Sequence, residues 1–320
     1  MKYYLAPMEG VTGFIYRNAY EKYFHNIDKY FTPFVTANKS KSLKTRELRD
    51  VLPENNKGLN IVPQILTKDS EEFISTAKRL QQLGYNEINL NLGCPSGTVV
   101  SKGRGSGFLG NRDDLDLFLE EIFKMEDIKI SIKTRLGLES PDEFYELLKI
   151  YNKYPLEELI IHPRTRKDFY KNTPNLEVFK YSLLNSKNPV CYNGDIFTKE
   201  DYKKLVNTLP DVDKMMIGRG LLANPGLIDE IKTDSVINKE KIKEFHDEIL
   251  NNYIDLMNDD KNVLFKMKEL WGYMIHIFSD NKKYAKKIRK SQKLSDYNEI
   301  ILSLFEEEDI QEGAGLFTSK

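Results

Sequence analysis

Cysteine is scarce in this chain: 320 residues hold two, Cys94 and Cys191. That excludes a disulfide framework and a cysteine-rich zinc site, leaves no metal to expect, and suits a reducing compartment. No stretch approaches the ~18 consecutive apolar residues of a membrane span. The opening Met-Lys-Tyr-Tyr-Leu-Ala-Pro-Met is too short in apolar residues for a signal peptide, so a cytoplasmic protein without a membrane partner is expected. An excess of either charge is also missing. Lys and Arg total 48 against 49 Asp and Glu, which excludes a globally basic nucleic-acid binder but permits a local basic patch. Internal repeats and low-complexity linkers are absent, and no Gly-x-Gly-x-x-Gly opens a helix after the first strand, as a doubly wound dinucleotide-binding sheet would require.

Short β-type runs alternate with amphipathic segments. Strands are predicted at 3–7, 29–35, 59–66, 87–92, 128–133, 158–162, 189–193 and 214–217, with helices at 70–83, 113–124, 141–152 and 199–208 among those between them. Several strands lack strict alternation, as expected when both faces are covered in a parallel sheet. Eight βα units predict an α/β fold, a TIM (β/α)8 barrel whose C-terminal strand ends build the site. After about Ile231 the pattern is purely helical, with apolar residues at 242, 245, 249, 250, 253 and at 264, 267, 270, 271, 274. The division is therefore a barrel over 1–231, a joint at 231–238 and a C-terminal helical bundle domain over 238–320.

Chemistry collects at the predicted strand exits. They read Ala6-Pro7-Met8-Glu9-Gly10, Pro63-Gln64, Asn91-Leu92-Gly93-Cys94, Lys133-Thr134-Arg135, His162-Pro163-Arg164-Thr165, Asn193-Gly194-Asp195 and Gly218-Arg219-Gly220. Such a mixture suits a polar, phosphate-bearing aromatic cofactor, with the last two motifs in the barrel loops that commonly bind phosphate. Lys133 admits a Schiff base, charge compensation for a reduced flavin, or a structural ion pair; the neutral amide of Gln64 favours the flavin. Cys94 lies at a strand exit before a loop rich in glycine. A thiol ordinarily ionises near ~8.5 and so holds a proton to donate at neutral pH. Cys191, mid-strand, reads as inert core.

These motifs, in this order, closely resemble the tRNA-dihydrouridine synthases. Asn-Leu-Gly-Cys-Pro-Ser (91–96) is the most specific element, and Lys266-Met267-Lys268-Glu269-Leu270-Trp271 extends the likeness into the tail. Pro163 stands where glycine is common, and Gly105-Ser106-Gly107 where an alanine is frequent. The resemblance implies an enzyme that uses FMN, takes electrons from NADPH and reduces a tRNA uridine to 5,6-dihydrouridine. Pro7, Met8, Glu9, Gln64, Lys133, His162, Asn193, Gly194, Asp195, Gly218 and Arg219 would hold the flavin. Hydride would pass to C6, Cys94 would protonate C5, and Asn91 and Arg164 would contact the substrate.

A basic run at 282–293 supports an RNA partner, because helical spacing puts Lys282, Lys286 and Lys290 on one face. Lys39, Lys41, Lys44, Arg46 and Arg49 form a second basic stretch. The chain is expected to act as a monomer. The alternatives are a flavin enzyme acting on a free pyrimidine, like dihydroorotate dehydrogenases, a Schiff-base lyase on Lys133, and an RNA-binding protein without catalysis.

Overall fold

The structure, a computed structural model, describes residues 1–37, 43–234, 236–311, 313 and 315. Ten strand segments form one sheet of parallel pairs: β1 Lys2–Leu5, β2 Lys29–Phe31, β3 Val35–Thr36, β4 Ile61–Val62, β5 Gln64–Leu66, β6 Glu87–Leu92, β7 Lys129–Arg135, β8 Leu159–His162, β9 Val190–Asn193 and β10 Lys214–Ile217. Their order is β3-β5-β6-β7-β8-β9-β10-β1-β2-β4. The two ends of that order are halves of a single strand pair. Tyr30 and Phe31 face Ile61 and Val62, and beyond Pro33 and Pro63 the register resumes as Val35 and Thr36 against Ile65 and Leu66. The sheet thus closes as the eight-stranded TIM barrel expected, with two of its strands interrupted. Proline has no N–H to give the ladder, and the Thr32 hydroxyl accepts the Gln64 N–H at 3.2 Å across the break.

By compactness the chain groups into two units: Met1–Pro7, Asp28–Gly194 and Leu209–Met216; and Met8–Ile27, Asp195–Thr208 and Ile217–Lys320. In the first unit, side-chain alternation stacks the barrel interior in layers. Lys29 and Glu87 pair at 2.7 Å in the lowest, where Glu158 meets Lys214 at 3.6 Å and the Tyr4 hydroxyl at 3.0 Å. Two residues further along the strands, Phe31, Val62, Ile160, Cys191 and Met216 form a buried apolar cluster with Tyr4 and Ala6. Two residues further still come Gln64, His162 and Asn193. The outer helices follow the same logic. Ser70–Gln82 begins where the Asp69 carboxylate accepts the Glu72 N–H at 3.0 Å, and it buries Phe73, Thr76, Ala77 and Leu80.

The second unit is helical. Lys239–Leu256 starts at an Asn238 cap and buries Ile242, Phe245, Ile249, Leu250 and Tyr253. Phe245 inserts edge-on among Tyr16, Tyr20 and Phe24 of helix Phe14–Phe24, with ring centroids 5.4–6.3 Å apart. Helices Lys199–Thr208, Arg219–Ala223, Leu227–Thr233, Asp260–Met274, Asn281–Lys290 and Leu294–Glu307 also belong to it. Among the described residues no helix is long and apolar enough to cross a membrane.

Candidate active site

In the first unit, a chain of buried amides joins three neighbouring strands. Ser131 Oγ accepts from Asn89 Nδ2 at 3.0 Å, Asn89 Oδ1 accepts from Gln64 Nε2 at 2.8 Å, and Gln64 Oε1 accepts from Asn91 Nδ2 at 2.6 Å. The far end of the chain is the strand exit itself. Asn91 Oδ1 accepts the backbone N–H groups of Gly93 at 3.1 Å and Cys94 at 2.9 Å. Both amide atoms of Gln64 are therefore engaged with protein, and its side chain is fully buried. Asn89 and Ser131 were not singled out from the sequence. The alternation that puts Asn91 and Lys133 inward also puts them inward, one layer down.

Lys133 stands opposite Asn91 in the β6–β7 register. Among the described residues its ammonium makes no hydrogen bond or ion pair with protein, so the structural ion pair considered from sequence is not present there. Burial, helped by Arg135, pushes it down to about 8, against a weaker upward pull from Cys191 and Cys94. A half-buried cation left unpaired among amides fits a ligand that brings electron-rich oxygen or negative charge. Cys191 is fully buried and its thiol is pushed far up by desolvation, in keeping with inert core.

Cys94 is half-buried. The segment after it is folded: a short helix, Gly97–Val100, leads to a 3-10 helix, Gly105–Gly110. Ser106 donates both its N–H (3.1 Å) and its hydroxyl (2.9 Å) to the Cys94 carbonyl. Gly105, at φ +56, has no room for more, since a Cβ there would lie 2.8 Å from that carbonyl and 3.0 Å from Cys94 Cβ.

Beyond β7 and β8 the cations organise backbone. Arg135, 1% exposed, donates Nε to Gly93 O at 2.9 Å and Nη1 to Thr165 O at 2.9 Å and Phe169 O at 2.8 Å. Arg164, also buried, donates Nε to Asn172 O, and its Nη1 lies 3.0 Å from His162 Nε2. Facing a guanidinium, that ring nitrogen is the acceptor. His162 and Arg164 thus form one buried pair. Asn193 donates Nδ2 to Met216 O at 2.8 Å, and a Cβ on Gly194 would fall 2.1 Å from the Tyr192 hydroxyl.

The remaining expected flavin contacts, Met8, Glu9, Asp195, Gly218 and Arg219, belong to the second unit. Residues 8–12 form a turn in which Met8 O accepts the N–H groups of Val11 and Thr12, each at 3.0 Å. Gly10, at φ +86, has its carbonyl taken by Lys266 at 2.6 Å, and a Cβ would meet Glu269 at 2.9 Å. This explains why the tail motif accompanies the motif at 6–12. Glu9 is exposed. Arg219 donates to Asp195 at 2.7 Å and lies over the Phe197 ring.

Helix Asn281–Lys290 buries Tyr284 and Ile288 and leaves Lys282, Lys286 and Lys290 exposed. Lys283 pairs with Glu307 at 3.3 Å, whereas the other three have no ion pair among the described residues. Lys282, in the first turn, opposes the helix macrodipole, whereas Lys290, in the last turn, complements it. Of the second basic stretch, Lys39 and Lys41 lie outside the described residues, and the capping Lys44 precedes helix Thr45–Val51, which carries Arg46 and Arg49.

Comparison with known proteins agrees with the fold and narrows the class. Solved structures with a similar fold include morphinone reductase, with TM-score 0.52 and 12% identity over 76% of this chain and 88% of that one. A variant of NCR from Zymomonas mobilis gives TM-score 0.51 and 12% identity, over 76% of this chain and 90% of that one. At that identity the likeness shows the fold alone. The family model "Dihydrouridine synthase (Dus)" matches residues 4–313, and the chain belongs to that family. A "Probable tRNA-dihydrouridine synthase" of Staphylococcus aureus (strain COL) is 31% identical over 69% of this chain and 68% of the relative. "tRNA-dihydrouridine synthase B" of Pasteurella multocida (strain Pm70) is 28% identical over 75% and 70%.

Proposed function

We propose that this protein reduces uridine in tRNA to 5,6-dihydrouridine, with FMN as the resident cofactor, NADPH as its reductant and Cys94 as the proton donor to C5. The observation that carries this reading is that a half-buried Lys133, without a partner among the described residues, stands opposite the Asn91 that holds the Cys94 backbone. Family membership and the names of the relatives give the substrate class.

When bound, reduced FMN would supply the hydride, with C6 of the uracil as its acceptor. A proton delivered to C5 completes the two-hydrogen saturation. Cys94 holds that proton, at a position fixed by Asn91 on its N–H and Ser106 on its carbonyl. Lys133 offers positive charge to a ring that gains electrons, and the Gln64–Asn89–Ser131 chain holds the amide edge beside it in one orientation. Pro7, His162, Asn193 and Gly194 would complete the ring contacts, and Met8, Glu9, Asp195, Gly218 and Arg219 the remainder. Asn91 and Arg164 would face the substrate. Residues 1–231 would then be catalytic, and 238–320 would bind tRNA through Lys282, Lys286 and Lys290. Action in the cytoplasm as a monomer belongs to the same reading.

The decisive experiment is dihydrouridine formation on unmodified tRNA by purified protein, with FMN released on denaturation and NADPH consumed in step. Comparable turnover of free dihydroorotate or uracil would overturn it. The lowered lysine would also suit a Schiff-base enzyme. Flavin-free protein trapped by borohydride with a carbonyl substrate would establish that chemistry instead.

A further inference from the structure

The segment after β8 contains a residue whose backbone and side chain make opposite demands. Phe169 sits at φ +50, in the left-handed region, although it is neither glycine nor asparagine. Its backbone is fully held: the N–H donates to Arg166 O at 3.2 Å, and the carbonyl accepts from Arg135 at 2.8 Å. The loop around it is equally built, with Thr165 donating twice to Asp168 at 2.8 Å and Asn175 N–H closing on Pro163 O at 2.7 Å. The phenyl ring, by contrast, is 40% exposed and makes no ring contact among the described residues. A strained backbone that leaves a large apolar residue 40% exposed forgoes part of the burial a core position would give it, and such outliers concentrate at functional sites.

Its surroundings say what the ring meets. The guanidinium that holds Phe169 O also holds Gly93 O, one residue before Cys94. Exposed Lys167 and Lys171 lie two residues to either side of Phe169 in the chain, and Arg166 before them is half-buried. Lys167 has one partner, Glu139 at 3.2 Å, and both are well exposed, which makes a weak pair. A flat apolar ring edged by cations matches a nucleobase flanked by phosphates.

We infer that Phe169 is a stacking surface for a nucleobase of the RNA next to the uridine that reacts. This rests on the tRNA reading above and adds to it a specific contact outside the reacting base.

The test compares wild type with Phe169→Gly, Phe169→Asn and Phe169→Trp, measuring KM and kcat on one unmodified tRNA transcript and the thermal midpoint of each protein. Glycine and asparagine tolerate positive φ, so both variants should melt roughly 2 °C higher. They should also raise KM for tRNA about ten-fold, with the loss falling on KM more than on kcat. Tryptophan should restore KM to near the wild-type value. A KM unchanged by Phe169→Gly, or a variant that melts lower because the ring was packing, overturns the inference. Wild type that forms no dihydrouridine at all would instead sink the parent reading.

Discussion

Asn91 and Lys133 face each other across the β6–β7 register, yet their side chains are treated oppositely. The amide of Asn91 is bonded at both ends, to Gln64 and to the Gly93 and Cys94 N–H groups, while the Lys133 ammonium is given no protein partner among the described residues. One residue holds the backbone that carries the thiol; the other presents a cation among amides.

The unpaired lysine makes stability depend on pH in a definite direction. Its pKa is about 8 in the folded chain, against 10.5 in the unfolded one. Between those values the unfolded chain binds more protons, so stability without ligand rises with pH; below about 8 the full penalty applies. Lys133→Met should therefore stabilise the flavin-free protein near pH 7, by roughly 1–3 kcal/mol in urea unfolding, while weakening FMN retention. A destabilised Lys133→Met would show that the ammonium is already satisfied.

Cys94→Ala should lower dihydrouridine formation by about 10²–10⁴-fold, the usual span for losing a general acid, with FMN still bound. Single-turnover oxidation of the reduced enzyme by tRNA measures it. A variant as fast as wild type would remove the thiol from the mechanism.

Asn89 is the buried link between Gln64 and Ser131. Asn89→Leu strands a donor and a hydroxyl and should cost about 2–4 kcal/mol in denaturant unfolding. Asn89→Asp still accepts from Gln64, and Ser131 can turn its hydroxyl to donate, so it should lose much less.

Gly105→Ala pushes a methyl to 2.8 Å from the Cys94 carbonyl at φ +56. It should reduce turnover by at least ten-fold with only a modest loss of stability, because the displaced group carries the thiol. Equal losses in both would make this a purely structural glycine.

Lys282→Glu, Lys286→Glu and Lys290→Glu together should weaken tRNA binding and flatten its salt dependence, with a slope reduced by up to about 2–3 in log–log form. Circular dichroism should be unchanged, since Tyr284 and Ile288 anchor that helix from its other face.

Much was legible in the linear chain. Strand exits could be read because each ends in a residue that no apolar core wants: Gln64, Asn91, Lys133, His162, Asn193. The helical tail was legible from its period, and its first long helix starts at the Asn238 cap. Two strands were read as continuous, and Pro33 and Pro63 interrupt them, since a missing N–H breaks the ladder without changing the apolar pattern. The loop after Cys94 read as glycine-rich; there Gly105 permits close packing, since a Cβ would lie 2.8 Å from the Cys94 carbonyl.

Sequence alone determined the period of each element and which residue types occupy the strand ends, because hydrophobic patterning and backbone sterics act locally. Only the tertiary structure decided that Asn89 and Ser131 complete the Gln64 relay, that Arg135 holds Gly93 and Phe169 at once, and that Lys133 has no partner among the described residues. Those hydrogen bonds join residues 25–42 apart in the chain. Register and barrel closure create them, and no local pattern encodes them.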